Sequence, residues 1–173
     1  MKYKADLALQ LKQGAACSLK SLSPDVGPCT DSEGSLSGYA SVFNIEDDQG
    51  DIIRPGAFQA SLNRWQECGS SPKFLWQHNP AELVGVWEAL WEDDLGLRAS
   101  GRLLLEVARG RDAHALLKLG AVDHLSIGYR INHFDYDPVT KTRILYEVDL
   151  VEISLVTYPA NPKAKVHVWK GNV

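Results

Sequence analysis

The sequence predicts a mostly β domain with peripheral helices: about seven to eight strands curled into a closed or nearly closed antiparallel β-barrel, with two main helices. Three observations predict it. Short apolar or alternating segments recur along the chain, separated by Gly, Pro, Asn and Asp. Only two stretches carry helical periodicity. Strand and helix patterns do not alternate as they do in βαβ units, which argues against a doubly wound parallel sheet.

In residues 3–11, Tyr3, Ala5, Leu7, Leu9 and Leu11 fall on one side, the period of two that marks a half-buried strand. Residues 14–37 turn to Ser, Pro, Gly and Cys with short acidic pieces and read as a flexible loop. Strand patterns follow at 36–43, 73–76, 83–91, 95–105, 125–134, 143–148, 151–157 and 166–169. The first helix is expected over 55–65, where Phe58, Leu62 and Trp65 recur behind Pro55, a residue suited to a first turn. The second is expected over 109–119. There Ala113, Leu116 and Leu117 form the apolar stripe, Lys118 favours the C-terminal end of the dipole, and Gly120 is placed to cap it. Trp87 and Trp91, four apart in a strand, are expected to share a face as core or interface residues. No repeat or linker divides the chain, so residues 1–173 read as one domain.

Composition narrows the function. With 173 residues and 45% apolar content, the chain is long enough to bury roughly 70% of its unfolded surface and fold without a metal or disulfide staple. Eighteen basic against 22 acidic side chains, with no basic run, argue against nucleic acid as a partner. The opening residues form no signal-peptide block and no segment approaches a membrane span, so a cytoplasmic protein with no membrane contact is expected. Cys17, Cys29 and Cys68 show no CxxC or metal-ligand spacing and read as free thiols, with a Cys17 to Cys29 bridge as the alternative. The histidines lack HExxH or HxH spacing and the glycines form no phosphate-cradling loop, so neither metal nor cofactor is implied. Residues 46–51, Glu-Asp-Asp-Gln-Gly-Asp, have the flavour of a calcium loop without its twelve-residue pattern and read as a solvated turn.

The strand around Ser126 is the most informative segment. Leu125, Ile127, Tyr129 and Ile131 take one face; His124, Ser126, Gly128, Arg130 and Asn132 take the other. A small hydroxyl flanked by Gly128 leaves room for a substrate backbone, although the ordinary reading is an exposed serine. A serine nucleophile needs a base at hydrogen-bond distance, usually His. His124 lies two residues away on the same strand, roughly 6.6 Å along it, which makes a direct bond awkward. His114 falls on a helix, and His133 and His167 have the look of exposed positions. His78 closes the aromatic segment Phe74-Leu75-Trp76 just before an Asn-Pro turn, a place that projects a side chain over a sheet edge; its ordinary reading is a turn histidine bonded to nearby backbone. The third member is sought in residues 147–156, where Glu152 stands inside an apolar strand. A carboxylate there must have a partner, either the imidazole or an arginine such as Arg130 or Arg143. Asp149 competes for the same role.

These motifs add up to a family resemblance. Gly38-Tyr39-Ala40-Ser41-Val42-Phe43, Gly50-Asp51-Ile52-Ile53, Pro55-Gly56-Ala57-Phe58, Trp76-Gln77-His78, Leu125-Ser126-Ile127-Gly128-Tyr129, Glu152-Ile153-Ser154-Leu155-Val156 and Pro159-Ala160-Asn161-Pro162 occur in the order seen in tailed-phage prohead proteases. The match covers residues 36–166, and the sequence resembles a member of that family. The family in turn resembles the herpesvirus assemblins, serine peptidases built on a β-barrel with peripheral helices.

The resemblance implies a serine endopeptidase of phage head maturation. It would act inside the assembling procapsid in the bacterial host cytoplasm, cutting the scaffolding segment from the major capsid protein and cleaving itself. The family's motif serine maps onto Ser126 and its histidine onto His78. The acidic member maps best onto Glu152, with Asp149 as the alternative, because assemblins use a second histidine there. Oxyanion support is expected near Ser126, with Gly128 and Arg130 as candidates. Assemblins are activated by dimerisation, so self-association is expected. Two rivals are a catalytically silent capsid- or scaffold-binding β-domain and a metal-dependent hydrolase using His78 with Asp149.

Overall fold

A computed structural model describes residues 34–167. The expected strand at 3–11, most of the 14–37 loop, Cys17, Cys29 and the end of the 166–169 segment lie outside the described residues. Ten elements follow in chain order: β1 Ser35–Val42, β2 Asp51–Ile53, α1 Gln59–Glu67, β3 Lys73–Trp76, β4 Asn79–Glu92, β5 Gly96–Leu103, α2 Ala108–Lys118, β6 His124–Asp137, β7 Thr142–Val156 and β8 Val166–His167.

One mixed sheet runs in the order β2-β7-β3-β4-β5-β1-β8, with β6 paired to β7 off that path. The long strand β7 organises it. β6 lies antiparallel along one edge of β7, while β2 and then β3 lie parallel along the other. The two expected strands at 143–148 and 151–157 are the two halves of β7.

Two expectations are corrected. The barrel is not closed, and its pairings are not all antiparallel. The sheet curls into an open half-barrel whose gap is spanned by one isolated bridge, His124 to Lys165. Beside that bridge Leu125 N–H donates to Ala164 O at 3.2 Å and Val166 N–H to Asp123 O at 2.8 Å. Pro159 and Pro162, which have no N–H to give, interrupt the return from β7, so the chain reaches β6 as an irregular loop rather than a ladder strand.

Both helices form close to where periodicity placed them. Each ends in a paired-bond cap with a left-handed glycine. Gly69 has φ +60 and Gly120 has φ +66. Ser70 N–H reaches Trp65 O and Ala121 N–H reaches Leu116 O, satisfying carbonyls that the helix leaves open.

The core includes Phe58, Phe74, Trp87, Leu97, Leu125, Leu145, Leu150, Ile153 and Leu155. Phe74 stacks on Trp87 with ring centroids 4.0 Å apart. Gly85 makes that stack possible, since a Cβ there would sit 2.5 Å from the Phe74 ring. The expectation that Trp87 and Trp91 share a face is also corrected. A bulge between Trp87 and Ala89 slips the β4–β5 register by one, which turns the later side chains over. Trp87 is therefore buried, while Trp91 is 41% exposed.

Candidate active site

The site grows from the β3–β4 hairpin. Trp76 pairs with Asn79, so Gln77 and His78 form a two-residue turn, with φ of 53° and 59°. The turn thus precedes Asn79-Pro80, which begins β4, rather than falling on it as the sequence implied. Two left-handed central residues match the twist of a hairpin, a conformation that Asn-Gly adopts easily and bulkier residues do not. Holding each such residue costs about 1–3 kcal/mol. The neighbours that hold it are all on or just after β7. Gln77 N–H donates to Leu155 O at 3.0 Å, its side-chain amide donates to Thr157 Oγ1 at 2.7 Å, and His78 N–H donates to Ser154 Oγ at 3.1 Å.

The register of β6 against β7 builds the rest. Ser126 lies opposite Ser154, and Gly128 lies opposite Glu152. Residues directly opposite in an antiparallel pair share a face, so all four point the same way. His78 Nδ1 lies 2.6 Å from Glu152 Oε1. Ser154 Oγ donates to Glu152 Oε2 at 2.5 Å and also accepts the His78 N–H. The carboxylate of Glu152, in a residue only 8% exposed, is thereby bonded on both oxygens, as a buried charge requires. Gly128 is the floor beneath it. A Cβ there would lie 2.4 Å from Glu152 Oε1.

A carboxylate only accepts, so it fixes the imidazole proton on Nδ1 and leaves the Nε2 lone pair available. His78 and Ser126 line one open cleft of about 380 Å³. Ser126 is 6% exposed, and its hydroxyl makes no hydrogen bond to another described residue. It is not a surface serine. The arrangement provides a buried hydroxyl and a carboxylate-oriented imidazole facing the same space, which is the equipment of acyl transfer.

Other expected residues lie elsewhere. Asp149 is ion-paired with Arg64 of α1 and sits opposite Arg130 in the register, not at His78. Arg130 is exposed and does not line the cleft. His124 Nδ1 is 2.6 Å from Asp123 Oδ1, a carboxylate that also meets Lys165 Nζ at 2.7 Å. Among the described residues no group of three or more His, Cys, Asp or Glu is arranged to hold a metal ion. None of the described helices is long and apolar enough to cross a membrane.

Sequence reasoning passes over several residues. Ser154 sits two places from Glu152, so period-2 counting alone would have put both on one face. The turn at residues 46–51 is not simply solvated: Asp51 is 1% exposed. Its carboxylate takes Arg143 Nε and Nη2 at 2.5 and 2.8 Å and Tyr129 Oη at 2.6 Å. Burial, then the Asp51 bond, pushes the Tyr129 phenol far above its ordinary range, and the same carboxylate raises Arg143. This cluster holds the segment whose Asp48 and Gln49 wall the cleft.

Comparison with known proteins bears on the family and the fold. The model of the caudovirus prohead serine protease family matches residues 20–173. The chain is 37% identical over 141 residues to a prohead protease of Enterobacteria phage HK97, covering 80% of this chain and 61% of that one. It is 26% identical over 137 residues to a prohead protease of Escherichia phage T5, covering 78% and 62%. The chain thus spans about three fifths of the length of these curated relatives. Among solved structures it is similar to the capsid assembly protease of bacteriophage T4, with a TM-score of 0.59 at 12% identity over 73% of this chain and 84% of that one. That likeness is one of fold.

Proposed function

Since the chain belongs to the caudovirus prohead serine protease family, we propose that it is a serine endopeptidase of phage head maturation, with Ser126, His78 and Glu152 as its catalytic residues. One observation carries the assignment of roles: Glu152 Oε1 is 2.6 Å from His78 Nδ1, with Ser126 in the same cleft.

In this reading Ser126 Oγ attacks the scissile carbonyl carbon while His78 Nε2 takes the hydroxyl proton. Glu152 holds the ring in the Nδ1–H tautomer and stabilises the imidazolium that forms. Collapse of the tetrahedral intermediate breaks the C–N bond, and His78 returns its proton to the leaving amine. Water then repeats the sequence on the acyl-enzyme, releasing the new carboxylate and restoring Ser126. Ser154 is a positioning residue, joining the Glu152 carboxylate to the His78 backbone. Gly128 serves by receiving that carboxylate, while backbone N–H groups beside Ser126 are better placed than Arg130 to meet the oxyanion.

The proposed substrate is the major capsid protein, cut at its scaffolding segment inside the procapsid in the bacterial host cytoplasm, with self-cleavage and weak self-association. The test is co-expression with the major capsid protein of the same phage, read by intact mass. An N-terminally shortened subunit with the wild type and not with Ser126→Ala is expected. Equal shortening with both would overturn the nucleophile, and full-length subunit with both would favour a binding domain. Sedimentation that stays independent of concentration would remove the self-association.

A further inference from the structure

The cleft holding Ser126 and His78 is also lined by residues 48–49 and residues 158–160. We propose that it accepts a lysine or arginine side chain of the substrate next to the scissile bond, with Asp48 as the specificity-determining residue. This rests on the protease reading above.

The three aspartates of the segment divide their work. Asp47 Oδ1 accepts the N–H groups of Gln49 and Asp51, at 2.8 and 3.0 Å. Asp51 is taken by Arg143 and Tyr129. Asp48 is exposed and lines the cleft, and its carboxylate has no ion pair or hydrogen bond with another described residue. Its backbone is nonetheless anchored, because Asp48 N–H donates to Ala160 O at 3.0 Å and so ties residues 48–49 to residues 158–160. With the backbone anchored, only the short Asp48 side chain is left to order when a cation arrives.

The segment bonded to Asp48 adds a second element. Tyr158 is 89% exposed, a large aromatic ring left facing solvent at the cleft. Ring faces attract ammonium and guanidinium groups. Among the described residues no Lys or Arg lines the cleft, and the Nδ1 of His78 is committed to Glu152. The charge facing a substrate side chain is therefore the negative charge of Asp48. An acidic substrate side chain would meet repulsion; a basic one would meet a carboxylate in a cleft that is also lined by an aromatic ring. The buried Ser126 hydroxyl in the same cleft, without a partner among the described residues, marks where the peptide bond itself would lie.

The test uses the full chain on a proteome-derived peptide library prepared without cutting at basic residues, with cleavage sites read by mass spectrometry. Lys and Arg are expected to be enriched at one fixed position flanking the cut. For peptides matched except at that position, Asp48→Asn is expected to lower the ratio of kcat/KM for the cationic over the uncharged peptide by about 10- to 100-fold, the worth of one charge-assisted bond. Asp48→Lys is expected to shift the preference toward Asp and Glu. Ser126-dependent cleavage without cationic enrichment, or an enrichment that survives Asp48→Asn, overturns this inference and leaves the protease reading standing. Absence of any Ser126-dependent cleavage overturns both.

Discussion

Glu152 has two oxygens with two different tasks: Oε1 faces the His78 ring, and Oε2 takes the Ser154 hydroxyl. If the first of these orients the imidazole, Glu152→Gln keeps the volume but loses the acceptor pair that fixes the tautomer. The expected outcome is a fall in kcat of about 10³- to 10⁴-fold with little change in KM. Steady-state kinetics on a capsid-derived peptide, with circular dichroism to verify folding, measures it; a loss under tenfold would assign Glu152 a structural role only. A carboxylate in an apolar strand must find a partner, and that physical demand makes Glu152 legible in the sequence. The choice between Glu152 and Asp149 is not legible, because strand register decides which of the two meets His78, and linear spacing does not carry register. Period-2 counting puts Ser154 on the face of Glu152, but its bond to the His78 backbone depends on the pairing of the turn with β7 and has no linear signal.

At the scale of elements, the helices and the existence of most strands are legible from periodicity, while turns and bulges are not. The Gln77-His78 turn uses left-handed backbone without Gly or Asn, so its residues give no turn signal. The bulge at Glu88 is likewise silent in the sequence, yet it separates Trp87 from Trp91. Packing of α1 against β4 depends on Glu92, whose Oε1 accepts the Phe58 N–H at 2.9 Å just ahead of the helix. Burial raises the pKa of Glu92, and its bonds to Phe58 and Gly56 only partly offset this. A carboxyl whose folded pKa exceeds its unfolded value of about 4.3 subtracts stability when ionised, above the folded pKa, and subtracts none once pH falls below the unfolded one. Glu92→Gln keeps an acceptor for Phe58 without the charge. It is therefore expected to be more stable than wild type at pH 7 and equal to it near pH 4, as read from urea midpoints. A gap that persists unchanged at pH 4, or a less stable variant at pH 7, would contradict this.

For the whole molecule, the sequence carries the mostly β class and the two helices but misjudges closure. Hydrophobic period states which face is buried and not which strand lies alongside, so the parallel pairs of β7 and the gap beside β8 have no linear signature. The buried Asp51 is masked in the sequence by its acidic neighbours. In the fold it ties β2, β6 and β7 together through Arg143 and Tyr129. Asp51→Ala is expected to destabilise the domain by about 3 kcal/mol, the low end for breaking a buried pair, because Arg143 remains 37% exposed. Tyr129→Phe, which leaves the ion pair in place, is expected to cost about 1 kcal/mol. Urea unfolding of the two variants distinguishes them; equal losses would mean that the ion pair contributes nothing beyond the phenol's bond.

The central claim, that Ser126 is a nucleophile activated by the His78–Glu152 pair, is tested most directly by labelling with a fluorophosphonate and mapping the adduct by peptide mass spectrometry. The expected result is one adduct on the Ser126 peptide in wild type, absent from Ser126→Ala and strongly slowed in His78→Ala. An adduct on another residue, or labelling of Ser126 at an unchanged rate without His78, would contradict it.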